Sequence, residues 1–172
     1  MKIFLVGFMG SGKSFLGKLW GENYSIPFYD LDTLIEEEER KLVEQIFELF
    51  GEDYFREREA AVLRNTDRFE NCIIACGGGA PCFFDNMQWM NKNGVTVFLN
   101  EDEEIICKNL KTDSKVRPVL NSSDEETLEK VIHLKLKSRM EFYNQSNIVL
   151  QTEELNQEGF VTVLEYIAQQ SK

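Results

Sequence analysis

Short apolar segments alternate along this chain with longer stretches in which apolar residues recur at helical spacing. Each short segment has four to six residues, and most of its positions are apolar. Strands of this kind are typical of a parallel sheet that helices cover on both faces. The pattern therefore predicts an α/β fold of three layers around a five-stranded parallel sheet. The predicted strands are Lys2–Val6, Pro27–Asp30, Cys72–Cys76, Val95–Asn100 and Asn147–Leu150.

Helical periodicity predicts the elements between these strands. The predicted helices are Ser14–Glu22, Asp32–Phe50 with an allowance for a break, Glu52–Arg64, Asp85–Asn93, Glu101–Leu110, Glu125–Tyr143 and Gln157–Gln169. A polar stretch from about 111 to 124 is long enough to be a mobile lid. We expect one domain over residues 1–172, because 172 residues are an ordinary length for one domain.

The charge balance limits the partners that we expect. Nineteen Lys and Arg against 30 Asp and Glu give a net charge of −11. A field of this sign repels polyanions, so we expect no nucleic-acid partner. No apolar run reaches the ~20 residues of a membrane span, and no signal peptide is recognised at the N-terminus. We expect a cytoplasmic protein with no membrane partner, and a monomer.

Two groups of residues with metal-binding side chains are interpreted as structural. The four cysteines, Cys72, Cys76, Cys82 and Cys107, form no C-x-x-C pair, so neither a zinc site nor a disulfide is predicted. The acidic run Glu36–Glu39 points in four directions around a helix. This spacing favours a solvated face over a metal site.

The strongest motif follows the first predicted strand and opens the first predicted helix. Residues Gly7–Ser14 read G-F-M-G-S-G-K-S and fit G-x-x-x-x-G-K-[ST]. In such a loop the backbone N–H groups and the helix N-terminus bind phosphate, Lys13 contacts the outer phosphates and the Ser14 hydroxyl ligates Mg²⁺. The motif predicts a site for a nucleoside triphosphate with Mg²⁺ as cofactor.

Two carboxylates lie at the end of the second predicted strand. Asp30 could hold Mg²⁺ through a water molecule, and Asp32 could orient a substrate hydroxyl or act as its base. The alternative is that Asp32 only caps the following helix, as Asp often does. The nearby phosphate loop favours the functional interpretation.

A glycine run and three arginines complete the candidate site. Gly77–Gly79 follows the third predicted strand, at the sheet edge where ligands of parallel sheets bind, and the alternative is a flexible turn. Arg56, Arg117 and Arg139 offer planar forks for carboxylate or phosphate, with surface ion pairing as the alternative. Arg58 is assigned to a surface ion pair.

In this order and spacing the motifs resemble those of the shikimate kinases, which are P-loop enzymes with the fold of the nucleoside monophosphate kinases. The resemblance covers nearly the whole chain. It is carried by Gly7–Ser14, Asp30-x-Asp32, Ile46-Phe47 to Gly51-Glu52, Phe55-Arg56-x-x-Glu59, Gly77–Ala80, Arg117–Leu120, and Arg139 followed by Tyr143. It implies ATP-dependent phosphorylation of the 3-hydroxyl of shikimate, which gives shikimate 3-phosphate and ADP in aromatic amino-acid biosynthesis.

The resemblance also implies a role for each matched residue. The residues assigned to catalysis are Lys13, Asp32 and Arg117. The residues assigned to shikimate are Asp32, Arg56, Gly78 and Arg139. The residues assigned to ATP are Gly10, Ser11, Gly12, Lys13, Ser14, Phe15 and Arg117. Mg²⁺ is assigned to Ser14, and to Asp30 through water. The two substrate arginines would bind the carboxylate, Asp32 the hydroxyls, and the Gly78 N–H would be a further donor.

Some positions depart from the family pattern. Phe15 stands where Thr or Ser is usual, and Arg40 and Leu42 replace a frequent Gly and Ser at the break between two helices. Leu110 and Lys111 stand where an arginine often packs on adenine. The usual R-x-P-L-Y after the lid becomes R-M-E-F-Y.

Two other functions fit the same motifs. One is a P-loop kinase for gluconate or a nucleoside monophosphate, because a phosphate binds arginine as well as a carboxylate does. The other is a nucleotide-binding regulator without turnover, which the phenylalanine after the phosphate loop and the altered lid would explain.

Overall fold

Five parallel strands form one sheet in the computed structural model, which describes residues 1–112 and 125–170. The strands are β1 (Lys2–Val6), β2 (Phe28–Asp30), β3 (Cys72–Ala75), β4 (Val95–Asn100) and β5 (Ile148–Gln151). Their order across the sheet is β2-β3-β1-β4-β5, and each neighbouring pair is parallel. The predicted α/β class and the five-stranded parallel sheet are confirmed.

Seven helices lie in the described part of the chain. They are α1 (Lys13–Tyr24), α2 (Leu31–Glu39), α3 (Val43–Asn65), α4 (Asn86–Asn93), α5 (Glu103–Thr112), α6 (Glu125–Tyr143) and α7 (Gly159–Gln170). Short 3-10 turns cover Thr66–Arg68, Ala80–Cys82 and Thr152–Glu154. Among the described residues, no helix has the length and apolar character that crossing a membrane requires. The predicted lid falls almost wholly outside the described residues, and Arg117 lies outside them.

The region predicted as two helices, 32–50 and 52–64, is divided at a different place. α2 ends at Glu39, and Arg40 follows it in the left-handed conformation with φ 53°. α3 continues through Gly51, where a kink with φ 81° and ψ 177° interrupts the helical geometry. The break that the sequence allowed for is therefore real, whereas the predicted boundary near Gly51 is a kink within one helix.

Part of the acidic run of α2 holds α3 in place: Glu37 and Glu38 are exposed, as a solvated face predicts, whereas Glu36 and Glu39 are half-buried against α3, so the interpretation was wrong for these two. Glu36 Oε1 accepts a hydrogen bond from the N–H of Val43, the first residue of α3, at 2.9 Å. Glu38 and Glu39 both form ion pairs with Arg58 of α3. The helical spacing of the run could not show this, because the partners come from a different helix.

Two apolar layers pack on the two faces of the sheet. Successive strand residues point to opposite faces, and in β1 the side chains of Ile3 and Leu5 pack on the face that α1 and α7 cover. Phe4 and Val6 pack on the face covered by α3, α4 and α6. The arrangement is the predicted one of three layers.

The sheet topology brings three sequence motifs to one edge. β2, β3 and β1 are neighbours, and the register pairs Asp30 with Ala75 and Ala75 with Leu5. Because the strands are parallel, their carboxyl ends meet at the same edge. The phosphate loop, the Asp30–Asp32 segment and the Gly77–Gly79 turn all begin there.

Candidate active site

The loop between β1 and α1 has the geometry of a phosphate cradle. Gly10 and Gly12 adopt φ values of 82° and 84°, which side-chain-bearing residues rarely take. Lys13 is the first residue of α1, and its Nζ lies 2.9 Å from the Gly7 carbonyl oxygen and 2.7 Å from that of Phe8. The ammonium group therefore lies over the loop, beside the helix N-terminus, where a bound phosphate would meet both.

Ser14 and Asp30 are in direct contact across the end of the sheet. The Ser14 hydroxyl donates to Asp30 Oδ2 at 2.6 Å. Asp30 Oδ1 accepts from the backbone N–H of Asp32 at 3.1 Å, so Asp30 is the cap of α2. The capping role weighed for Asp32 thus belongs to Asp30. A hydroxyl and a carboxylate side by side are the oxygen ligands that Mg²⁺ prefers, so the donor set fits that ion.

Two of the three glycines after β3 make room for side chains of the site. A Cβ on Gly77 would lie 2.6 Å from Glu59 Oε1 and 3.1 Å from Asp32 Oδ1. A Cβ on Gly79 would lie 2.6 Å from Arg56 Nη2. Sequence reasoning expected these glycines to allow close approach of a ligand, and in the structure they allow close approach of the protein's own charged groups.

Gly78 joins the glycine turn to the phosphate loop and to α6. A Cβ on Gly78 would lie 2.9 Å from the backbone nitrogen of Met9. On the α6 side, the Gly78 carbonyl accepts hydrogen bonds from Tyr143 Oη at 2.5 Å and from Arg139 Nη1 at 3.3 Å. The turn is thus held between the loop that would bind phosphate and the helix that carries Arg139.

Arg56 belongs to a buried ion pair with Glu59, one helical turn further along α3. Arg56 is 5% exposed and Glu59 is 0% exposed. Arg56 Nη1 donates to Glu59 Oε2 at 2.8 Å, and Nη2 donates to Glu52 Oε1 at 2.9 Å. The guanidinium also lies over the Phe83 ring, with 4.4 Å between Cζ and the ring centroid. These contacts hold the guanidinium plane in one orientation.

Glu59 is a site residue that sequence reasoning left without a role. Its Oε1 has no hydrogen-bond partner among the described residues. Burial raises the pKa of the Glu59 carboxyl to about 7, although the Arg56 cation opposes the rise. The signal for it was present in the F-R-x-x-E spacing, since residues three apart on a helix are neighbours.

Arg139 reaches the site although the motif around it is altered. α6 continues without a break to Tyr143, and Arg139 is 8% exposed. Its guanidinium carbon lies 5.3 Å from the centroid of the Phe8 ring in the phosphate loop. Arg139 therefore contacts the phosphate loop and the glycine turn together.

The remaining predicted residues lie at the nucleotide end of the site. Ser11 is buried in the loop, whereas the Phe15 side chain, in the first turn of α1, is 71% exposed. Asn109 of α5 donates to the Gly10 carbonyl at 2.8 Å, a contact that no motif in the sequence indicated. Leu110 of α5 also packs against Gly10.

The sequence of this chain is similar to those of known shikimate kinases. The family model for shikimate kinase matches residues 9–169. The chain belongs to the shikimate kinase family. A shikimate kinase of Bacteroides thetaiotaomicron is 41% identical over 155 residues, which cover 90% of this chain and 89% of that protein. A shikimate kinase of Parabacteroides distasonis is 41% identical over 160 residues, or 93% of this chain and 92% of the relative.

Solved structures of shikimate kinases have the same fold. The crystal structure of the Bacteroides thetaiotaomicron shikimate kinase matches with a TM-score of 0.88 at 39% identity and covers 98% of each chain. The Acinetobacter baumannii enzyme in complex with shikimate matches with a TM-score of 0.87 at 28% identity, over 98% of this chain and 93% of that one. A deoxyadenosine kinase from M. mycoides, at 13% identity and a TM-score of 0.60, shares the fold alone. The predicted P-loop kinase fold is confirmed.

Proposed function

We propose that this shikimate kinase family member transfers the γ-phosphoryl group of ATP to the 3-hydroxyl of shikimate, giving shikimate 3-phosphate and ADP. One observation carries the proposal. The Gly77–Gly79 turn contacts the phosphate loop on one side and the charged side chains of Asp32, Arg56 and Arg139 on the other. The donor and acceptor sites therefore adjoin, as phosphoryl transfer requires.

The acceptor end of the site fits a small molecule with one carboxylate and several hydroxyls. Arg56 and Arg139 would bind the carboxylate, because a guanidinium fork matches its two oxygens. Asp32 would accept a hydrogen bond from the reacting hydroxyl and orient it or take its proton. The Gly78 N–H would supply a further donor. Gluconate or a nucleoside monophosphate as acceptor, or a regulator without turnover, has no such support from the family.

The donor end of the site fits ATP with Mg²⁺. The loop residues Gly10 to Ser14 would bind the phosphates, and Phe15 would lie beside them at the start of α1. Mg²⁺ would be held by the Ser14 hydroxyl and, through water, by Asp30, where it would neutralise phosphate charge. Lys13 would stabilise the charge of the transferred group. Arg117, outside the described residues, would join Lys13 when the predicted lid closes and excludes water.

The wider assignments made from the sequence stay predictions. They are a single domain over residues 1–172, substrate-binding helices at about 32–64, a lid at about 111–124, a monomeric state, a cytoplasmic location and the absence of nucleic-acid and membrane partners.

Measurement of ADP release with different acceptors tests the proposed reaction. Shikimate should stimulate ADP release in the presence of Mg²⁺, whereas gluconate and nucleoside monophosphates should not. Activity with one of these acceptors and none with shikimate would contradict the proposal. Calorimetric binding of ATP without turnover of any acceptor would favour the regulator instead.

The substitution Asp32→Asn tests the role of the carboxylate. It keeps the size of the side chain but removes its charge and its capacity to accept a proton. We expect kcat to fall by about 100-fold, with the Kd for ATP within about twofold of the parent value. Glu37→Gln, an exposed change on the same helix, is the matched control and should leave both constants unchanged. A parent-like kcat in Asp32→Asn would remove Asp32 from the catalytic group.

A further inference from the structure

Tyr143 is a buried polar residue at the site that the proposed reaction does not use. It is the last residue of α6, it is 0% exposed, and its hydroxyl donates to the Gly78 carbonyl at 2.5 Å. We propose that Tyr143 is a positioning residue that holds the Gly77–Gly79 turn against the phosphate loop and so sets the place of the phosphoryl acceptor. The inference rests on the proposed function and adds a residue to it.

The glycine turn is held from two sides, and Tyr143 provides one of the two hydrogen bonds on the α6 side. On one side, the turn is packed so closely on the phosphate loop that a Cβ on Gly78 would lie 2.9 Å from Met9 N. On the other side, Tyr143 and Arg139 donate to the same Gly78 carbonyl. Residues four apart share one face of a helix, so α6 presents both donors together. The Tyr143 bond, 2.5 Å against 3.3 Å for Arg139, is the shorter of the two.

The Tyr143 ring is itself anchored, which gives its hydroxyl a defined place. The centroids of the Tyr143 and Phe98 rings are 5.0 Å apart, and Phe98 belongs to β4, which lies between β1 and β5 in the sheet. The hydroxyl therefore connects the sheet to the glycine turn through one rigid side chain. Burial raises the pKa of Tyr143, so the phenol stays protonated and remains a donor.

The position of the turn matters for both reactants. The carbonyl that Tyr143 holds belongs to the residue whose N–H is the proposed substrate donor. The neighbouring Gly77 and Gly79 contact Asp32 and Arg56, the groups proposed for the hydroxyls and the carboxylate. Loss of one support would let the turn shift relative to the phosphate loop, and misplacement of the acceptor slows phosphoryl transfer.

Tyr143→Phe tests the proposal, because it removes the hydroxyl and keeps the ring against Phe98. Loss of one buried hydrogen bond predicts that the Kd and the KM for shikimate rise by about tenfold. We expect kcat to fall as well, while the KM for ATP stays within about twofold of the parent value, since the loop that binds phosphate keeps its own hydrogen bonds.

A purely structural role for Tyr143 would give a different result, and two control variants identify it. Val163→Ala creates a cavity in α7 on the other face of the sheet, so it should lower the Tm without a change in the shikimate constants. Tyr166→Phe removes a hydroxyl from α7 and should change neither the Tm nor the Kd and KM for shikimate. If Tyr143→Phe lowers the Tm but leaves the Kd and KM for shikimate within about twofold of the parent values, the inference is overturned and the proposed function stands.

Two further outcomes of these experiments would also decide the inference. If Tyr143→Phe does not fold, 4-aminophenylalanine at the same position returns a donor. If the Kd and KM for shikimate in that protein equal the parent values, the inference is supported. If both are about tenfold higher than in the parent, the inference is overturned. If the unchanged protein neither binds nor phosphorylates shikimate, the proposed function fails, and the positioning role fails with it.

Discussion

At the scale of single residues, the site depends on a charge pair that is almost completely removed from water. Arg56 and Glu59 are 5% and 0% exposed, and their contact measures 2.8 Å. Burial of two charges is costly, and the loss of either partner leaves the other uncompensated. Burial lowers the pKa of Arg56, but the Glu59 and Glu52 carboxylates more than offset this, so the pKa is raised and the guanidinium stays charged.

The buried Glu59 carboxyl predicts a pH dependence of stability. Its pKa is about 7 in the folded protein against an ordinary value of 4.5, so the folded chain binds this proton more tightly than the unfolded chain. The contribution of this group to the free energy of unfolding is therefore greatest below the ordinary value and is lost as the pH rises through about 7. The expected loss is about 3 kcal/mol.

Urea unfolding from about pH 5 to pH 8 measures this contribution in the parent protein and in Glu59→Gln. Glutamine does not titrate, so the free energy of unfolding of the variant should not show this decline between pH 5 and pH 8. Glu57→Gln, an exposed change two residues away, should keep the parent slope. Equal slopes in the parent and Glu59→Gln would show that Glu59 titrates at its ordinary pKa.

At the scale of elements, the pairing of α2 with α3 places both Asp32 and Arg56 at the site. The two helices are joined by carboxylates of α2 that bind Val43 and Arg58 of α3. The connection between them begins at Arg40, an exposed residue with φ 53°. A residue with a Cβ is strained in this left-handed conformation, whereas glycine adopts it freely.

Arg40→Gly should stabilise the protein. Relief of the left-handed strain is worth about 1 kcal/mol, which corresponds to a rise in Tm of about 2–4 °C for a chain of this length. Differential scanning calorimetry provides the measurement. Arg40→Ala removes the same charge but keeps a Cβ, so its Tm should not rise above that of the parent protein. An equal gain in both variants would assign the effect to the charge and not to the backbone.

At the scale of the whole molecule, one sheet connects two apolar layers, and each layer contains one tryptophan. Trp20 packs with Phe160 on the face covered by α1 and α7. Trp89 packs with Phe4 on the opposite face. Since both layers pack against the same strands, neither should unfold while the other stays intact.

This arrangement predicts a single cooperative unfolding transition, as expected for one domain. Trp20→Phe leaves Trp89 as the fluorescent probe, and Trp89→Phe leaves Trp20, because the chain has two tryptophans. In each variant, the urea midpoint from fluorescence should equal the midpoint from far-UV circular dichroism. Distinct midpoints for the two faces would show that the chain unfolds in parts.

The local features of the site could be predicted from the sequence. The phosphate loop, the two carboxylates after β2 and the glycine run after β3 are contiguous motifs, and their chemistry follows from residue type and spacing. Strand polarity then brings them to one edge of the sheet. The predicted bounds of β1, β4 and α6 agree with the structure because those segments have uniform patterns. The bounds near Arg40 and Gly51 were less accurate, since a kinked helix and a broken one have similar periodicity.

Only the tertiary structure decided which groups meet across elements. The partner of Tyr143 is a backbone carbonyl 65 residues away, and nothing in the type of either residue specifies that contact. The same holds for Glu59 and Gly77, where the missing side chain of one residue makes room for the carboxylate of the other. Sequence spacing determines neighbours within a helix or a strand, whereas contacts between elements depend on how the layers pack, and packing depends on the shape of the whole core.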